Sequence, residues 1–282
     1  MMSELGESPL KIVAIGSSAT RGYEIKQEDA WPEQLEQVCH QAGWNVTVSN
    51  KATHGLPLPG FAERIVYLER TDPQDLYLLQ LSVADRLYLG VNGRQRLKEA
   101  SYSKDVILGW SEKNFFTSPT RVLLSGVALD ENSPFHQYLN FFFMVIKRNN
   151  PKATFEEFLT YLKFWEANIR DSDLELINYV KEIVLLQQLL LALRKPYIMF
   201  QWNGFCIKQV ATRTEPFYSL IDWSVFIGNG DVTAIEYLQR SYPDLYKEIQ
   251  NDAYHHLNRA GNRLIAETLV FPSILKWRSV PK

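Results

Sequence analysis

Four short segments hold the residue types able to do chemistry. Near the start, Gly16-Ser17-Ser18-Ala19-Thr20-Arg21-Gly22 offers hydroxyls on a turn bracketed by glycines, and near the end Asp252-Ala253-Tyr254-His255-His256-Leu257-Asn258-Arg259-Ala260-Gly261 offers a carboxylate and two imidazoles. Between them lie Asn50-Lys51-Ala52-Thr53-His54-Gly55 and Ser82-Val83-Ala84-Asp85. A serine hydroxyl becomes a nucleophile when an imidazole takes its proton and a carboxylate on the far ring nitrogen fixes the tautomer. Ser17 or Ser18, His255 or His256, and Asp252 supply those three roles. Only one histidine of the adjacent pair can serve, because neighbouring side chains point in different directions in either a strand or a helix.

Other chemistries lack their residues. Asp252, His255 and His256 have no further ligand at useful spacing, and neither a His-Glu-x-x-His nor a cysteine-rich pattern occurs, so no metal is expected. There is no Walker A loop and no Gly-x-Gly-x-x-Gly, so no nucleotide or other cofactor is expected. A formal net charge of -2 gives no electrostatic reason for nucleic acid or an anionic membrane as partner. Cys39 and Cys206 are too few and too far apart for a disulfide framework and read as ordinary thiols.

The elements that must position these residues follow from hydrophobic patterning. With 282 residues, 46% of them hydrophobic, the chain can bury a full core. The apolar run Leu10 to Ile15 reads as a buried strand opening at Gly16 into the serine turn. Ala30 to Ala42, with Pro32 near its start, has helical spacing, and Trp44 to Ser49 alternates as a second strand. Phe61 to Leu68 predicts a helix and Leu76 to Leu81 a third strand. This β-α-β-α-β order predicts a parallel sheet covered on both faces. A serine just after the first strand then sits at the carboxyl ends of the strands, where open α/β sheets place their ligand crevice, and that location favours Ser18.

The rhythm breaks between about 94 and 170. Trp110, Phe115, Phe116 and Tyr138 to Ile146 are aromatic-rich, and the stretch reads as an insertion with helices of its own. Phe141-Phe142-Phe143 reads as insertion core and not as a base-stacking platform. Asp173 to Leu193 is a long helical stretch, and Tyr197-Ile198-Met199-Phe200 restores the alternation as a fourth strand. Asp231 to Leu238 and Asn258 to Leu269 predict further helices, the last directly after the histidine pair. Residues 1–282 are therefore expected to form a single domain with one insertion. Met1 to Pro9 is polar, which argues against a signal peptide. Ile183 to Leu193, interrupted by Gln187 and Gln188, falls short of the ~20 apolar residues a bilayer needs. A soluble protein, cytoplasmic or part of an assembly, is the expectation.

Taken in order, the four segments resemble the motif blocks of the SGNH (GDSL-type) hydrolase family. The family's first block reads Gly-Asp-Ser followed by Thr and Gly; here Ser17 replaces the Asp, while Ser18, Thr20 and Gly22 match. The resemblance makes Ser18 the nucleophile. Asn50 with Gly55 fits the second block, whose glycine amide joins the nucleophile's own amide in the oxyanion hole. The third block, Gly-x-Asn-Asp, is replaced by Ser82-Val83-Ala84-Asp85, so the Asn donor is missing. Loss of one such donor costs on the order of 10²–10³ in rate in a protease. Asn203, in Gln201-Trp202-Asn203-Gly204, is a candidate substitute, and Asp85 and Arg86 are candidate substrate contacts or an ion pair. In the last block an Asp precedes the His by three residues and a Gly follows it by five. His256 with Gly261 satisfies the forward spacing, whereas Asp252 stands three residues before His255 and four before His256. His256 is the preferred base, with His255 as the alternative.

The resemblance implies a three-layer α/β/α flavodoxin-like sandwich with a parallel sheet, here carrying a helical, aromatic-rich insertion. It implies a serine esterase or acyl-ester hydrolase acting on a small-molecule or saccharide ester, O-deacetylation of a saccharide among the reactions it admits. The alternative is a catalytically degenerate binding or assembly protein on the same fold, virion-associated for example, with the aromatic insertion as its contact surface for protein partners.

Overall fold

The structure, a computed structural model, describes residues 8–53, 56, 58–81, 86–88, 115–117, 147, 151–152, 154–157, 160, 172–203, 206–210, 214–251 and 256–279. The chain divides into two compact units, residues 1–83 with 179–282, and residues 84–178. In the second unit β4 (Arg86–Tyr88) and β5 (Phe115–Thr117) pair antiparallel, Leu87 opposite Phe116. Phe115 and Phe116 thus belong to a strand, where the sequence suggested helices. Trp110 and the aromatic run from Tyr138 to Ile146 lie outside the described residues.

The first unit is built on a four-stranded parallel sheet of β1 (Leu10–Ile15), β2 (Val46–Asn50), β3 (Leu76–Leu81) and β6 (Tyr197–Gln201), in the order β2-β1-β3-β6. All four strands fall where the apolar runs placed them, within two residues at each end. The registers run Ile12 to Val48 on one side of β1 and Ala14 to Leu78 on the other, and Leu79 pairs with Met199. Because the chain goes outward from β1 to β2 and then returns to the far side of β1, the connections diverge at the carboxyl ends of β1 and β3, the place where such sheets open a crevice.

Helices cover both faces. The alternation of a strand sends Ile12, Ala14, Leu76, Leu78, Ile198 and Phe200 to one side, where they are buried in one cluster with Trp31, Leu35 and Val38 and with Ile265, Val270 and Ile274. Trp31, Leu35 and Val38 belong to α2 (Trp31–Gln41), which starts with Pro32 in its first turn, as a helix tolerates. The C-terminal residues come from α8 (Arg259–Ile265), a π-helical turn at Ala266–Val270, and α9 (Phe271–Ser279). On the other side lie α3 (Leu58–Thr71) and α4 (Ser172–Ala192). Phe61, Ile65 and Leu68 of α3 and Val180, Ile183 and Leu190 of α4 are buried, as are Val13, Ile15, Tyr77, Leu79 and Met199 of the sheet. Tyr77 Oη donates to Glu69 Oε1 of α3 at 2.6 Å, and Gln187 Nε2 of α4 lies 3.8 Å from Met199 Sδ. The result is a three-layer α/β/α sandwich, as expected. Also described are the short α-helices α1 (Ser18–Arg21), α5 (Ile207–Val210), α6 (Ala234–Ser241) and α7 (Pro243–Ile249). Among the described residues no helix is long and apolar enough to cross a membrane.

At the amino edge of the sheet, Glu69 gathers three polar groups. Lys195 Nζ stands 2.9 Å from Glu69 Oε2 and donates to Gln74 O at 2.8 Å, while Tyr77 takes the other carboxylate oxygen. Burial pushes the Glu69 carboxyl upward, but the hydrogen bonds from Tyr77, Lys195 and the Gln74 amide, with the Lys195 charge, bring it below its ordinary value. A carboxylate depressed in the folded state adds stability above its unfolded value of about 4.3 and loses it as the pH falls through the folded value. Urea denaturation of wild type and Glu69→Gln should therefore show a stability gap at pH 7 that narrows below about pH 4. A gap independent of pH would remove this account of Glu69.

Candidate active site

The turn after β1 is tightly constrained. Ser17 is buried, and Ser18, partly exposed, opens the single-turn helix α1. A Cβ on Gly16 would fall 2.1 Å from Thr20 Oγ1 and 2.9 Å from Gln80 Oε1, so only glycine fits between the strand and the turn. Gln80, fully buried on β3, accepts at Oε1 from Thr20 Oγ1 at 2.6 Å and from the Ser17 amide at 3.3 Å. Its Nε2 donates to Leu81 O at 2.9 Å, which settles which end of the amide is which. Trp31 Nε1 donates to Thr20 Oγ1 at 3.3 Å. Gly22, with φ of +83°, ends α1 and donates its N–H to Ser18 O.

The loop after β2 grips the same turn from its other side. Asn50 Nδ2 donates to Thr20 O at 2.8 Å and to Glu33 Oε2 at 3.1 Å, and Asn50 Oδ1 accepts from the Ala52 amide. The Thr53 amide donates to Gly16 O at 3.1 Å. The buried Arg64 guanidinium donates to Lys51 O. Burial, with the Arg21 charge adding to it and Glu63 opposing, brings the Arg64 guanidinium down to about 10, so it stays charged at neutral pH. Burial likewise raises the Glu33 carboxyl above its ordinary range, against hydrogen bonds from Asn50 and Gln27.

His256 stands just before α8, on the face of the sheet that α2 also covers. The Asn251 amide donates to His256 O at 2.7 Å and the Asn258 amide to Ile249 O at 2.8 Å, so the chain on either side of 252–255 is clamped together. Asn258 then caps α8, accepting from the Gly261 amide at 3.1 Å. A Cβ on Gly261 would meet Leu257 Cβ at 2.8 Å and Ile249 Cβ at 3.1 Å, which accounts for a glycine five residues beyond the histidine. Asn262, buried one turn into the helix, donates to Leu257 O and Asn258 O and accepts from the Trp31 amide at 3.1 Å. The outcome is a distance of 2.9 Å between His256 Nε2 and Ser18 Oγ. The Tyr23 ring lies against the imidazole, centroids 4.6 Å apart and planes 34° apart.

The structure thus brings Ser18 and His256 together, in the order needed for an imidazole to take a proton from a hydroxyl. The Ser18 amide, in the first turn of α1, has no acceptor within the helix. Asn203 follows β6 by two residues at the same edge of the sheet. β3 lies between β6 and β1, so the strand that leads to Asn203 is not a direct neighbour of the strand that leads to Ser18. Asp252, His255, Gly55, Ala84 and Asp85 lie outside the described residues, and of Arg86 only the backbone is described, opening β4. Gln80, Trp31, Arg64 and Asn262 hold the site without having been singled out for it. Gln80 carried a signal, a lone amide in the otherwise apolar strand Leu76-Tyr77-Leu78-Leu79-Gln80-Leu81. Among the described residues no group of three or more His, Cys, Asp or Glu could hold a metal ion.

No family model and no curated protein sequence matches the chain. Among solved structures it is similar to the psychrotrophic esterase EstA from Pseudoalteromonas sp., at 10% identity over 96% of this chain and 99% of that one, with a TM-score of 0.46. It is also similar to the acetyl xylan esterase AlAXEase, at 11% identity over 96% and 100% of the two chains with a TM-score of 0.43. A member of the lipolytic G-D-S-L family from Veillonella parvula DSM 2008 is similar at 15% identity over 96% and 100%, with a TM-score of 0.38. At such values the sandwich and the Ser18–His256 contact stand on this chain's own geometry.

Two substitutions probe the clamps. Gly16→Ala should cost on the order of 1–3 kcal/mol in urea denaturation, since its Cβ can be housed only by displacing Thr20 or Gln80. Asn262→Ala strands the buried Trp31 amide and should cost about 1–3 kcal/mol. Losses below about 0.5 kcal/mol, the size of an ordinary surface change, would mean that the turn and helix are held by something else.

Proposed function

We propose that the chain is an ester hydrolase of the SGNH type, with Ser18 as nucleophile and His256 as base. The observation that supports this most is the 2.9 Å contact between His256 Nε2 and Ser18 Oγ at the carboxyl end of the sheet. In this reading Ser18 Oγ attacks the acyl carbonyl while His256 Nε2 takes the hydroxyl proton. The amides of Ser18 and Gly55 receive the developing oxyanion. As the tetrahedral intermediate collapses, His256 returns the proton to the departing alkoxide, leaving an acyl-enzyme. Water then attacks that acyl group with His256 again as base, and Ser18 leaves as a hydroxyl with release of the acid. Asp252, four residues before the base, is the carboxylate assigned to orient it. Oxygen esters are the substrate class, with an O-acetyl saccharide as the specific candidate.

Ala84, where a side-chain oxyanion donor would stand, favours the competing reading of a degenerate site on the same fold. Turnover separates the two. Wild type should hydrolyse p-nitrophenyl acetate and take up a fluorophosphonate probe at Ser18, and Ser18→Ala and His256→Ala should each lower kcat/KM by about 10³-fold or more. Labelling and turnover no higher in wild type than in Ser18→Ala would falsify the hydrolase reading in favour of the degenerate one.

A further inference from the structure

The nucleophile turn supplies more than the nucleophile. Tyr23 follows the left-handed cap Gly22, and its amide donates to Ser18 O at 3.1 Å, the same carbonyl that caps α1. That turn has little latitude. Gly22 has a φ of +83°, and a Cβ there would fall 2.9 Å from Ala30 Cβ and 3.2 Å from Ile25 Cγ1. The Tyr23 backbone is therefore tied to the residue whose hydroxyl reacts, while its ring reaches out to the imidazole of His256, 4.6 Å away between centroids. Tyr23 remains 39% exposed.

The direction of the His256 ring matters to the proposed reaction. Its main chain is fixed by the Asn251 amide. The contact at Nε2 is broken and remade in each half of that reaction, whereas a ring packed on the imidazole stays in place throughout. An sp³–sp² torsion such as histidine χ2 has broad wells, and a misplacement of about 1 Å can cost on the order of 10²-fold in rate. A second aromatic ring packed against the imidazole opposes tilting of the imidazole towards it. Offset and tilted aromatic pairs contribute about 0.5–1.5 kcal/mol, enough to bias such a torsion.

We propose that Tyr23 is a positioning residue for His256, an aromatic stop built into the nucleophile turn that holds the base imidazole in line with Ser18 Oγ. The proposal rests on the assignment of Ser18 and His256 as nucleophile and base. It is the ring that acts, since the contact is ring against ring, and the phenol hydroxyl has no part in the proton transfer. Phenylalanine should therefore replace tyrosine, whereas alanine or leucine should not.

The experiment compares wild type, Tyr23→Phe, Tyr23→Leu and Tyr23→Ala, each checked for an unchanged thermal unfolding midpoint. With p-nitrophenyl acetate, Tyr23→Phe should keep kcat within about 2-fold, and Tyr23→Ala and Tyr23→Leu should lose about 10-fold in kcat with KM altered less than about 2-fold. In the absence of substrate, the ring-carbon protons of His256 should show an upfield ring-current displacement in NMR spectra of wild type and Tyr23→Phe, and lose it in Tyr23→Ala and Tyr23→Leu. The spectroscopic arm stands apart from turnover. If wild type hydrolyses nothing yet the displacement is present, the contact holds and the hydrolase reading fails. If the displacement is absent in wild type, the positioning role is overturned whatever the turnover. It is also overturned if Tyr23→Ala keeps full kcat, or if Tyr23→Phe loses as much as Tyr23→Ala, which would give the role to the hydroxyl.

Discussion

Trp31 joins the two halves of the site. Its backbone amide donates to Asn262 Oδ1 in the helix that follows His256, and its indole N–H donates to Thr20 Oγ1 in the turn that carries Ser18. Both bonds are buried, and Trp31 itself is fully enclosed, edge-on to Phe200 of the sheet with centroids 5.5 Å apart. A donor buried without an acceptor costs more than a bond made in water gains, so both acceptors must be in place when the core closes. One residue at the start of α2, through its backbone and its side chain, thereby fixes the distance between elements that are remote in sequence.

Around that joint, each partner is held by a different kind of restraint. The Ser18 turn is held sterically and by hydrogen bonds from both neighbouring strands: Gly16 leaves room for Thr20, Gln80 reaches in from β3, Asn50 at the end of β2 bonds Thr20 O, and Thr53 in the loop beyond bonds Gly16 O. His256 is held by closure of its loop, through Asn251, and by the capping of α8 through Asn258. Rigid groups set on fixed elements cost no reorganisation at the moment of reaction, which is how a site built from weak groups becomes effective.

The strands were legible because apolar runs of strand length, flanked by turn residues, have few other uses in a chain of this composition. Their parallel order followed from the alternation with helices. Ser18 and His256 were legible as types, with the resemblance choosing among neighbours. Gln80, Trp31 and Asn262 were not, because a hydrogen bond across sixty or more residues leaves no periodic trace; Gln80 and Trp31 read simply as members of an apolar strand and an apolar helix face. The final helix, read as one element from Asn258 to Leu269, proved to be α8 and a π-helical turn, and the chain stays helical beyond that range as α9. Apolar spacing sums over a window and does not register one residue inserted into a turn. At Phe115 and Phe116 aromatic residues favour a strand, but a strand of three residues is too short to show an alternating pattern.

The Ser18–His256 contact spans 238 residues of sequence, and the Trp31–Asn262 bond spans 231. Contacts of such separation close the longest loops in the chain, and their entropy must be met before they return any stability. The pairing of hydroxyl and imidazole therefore requires nearly the whole chain. During synthesis the serine turn leaves the ribosome long before the histidine, so Ser18 is without His256 until the final helices are free to pack.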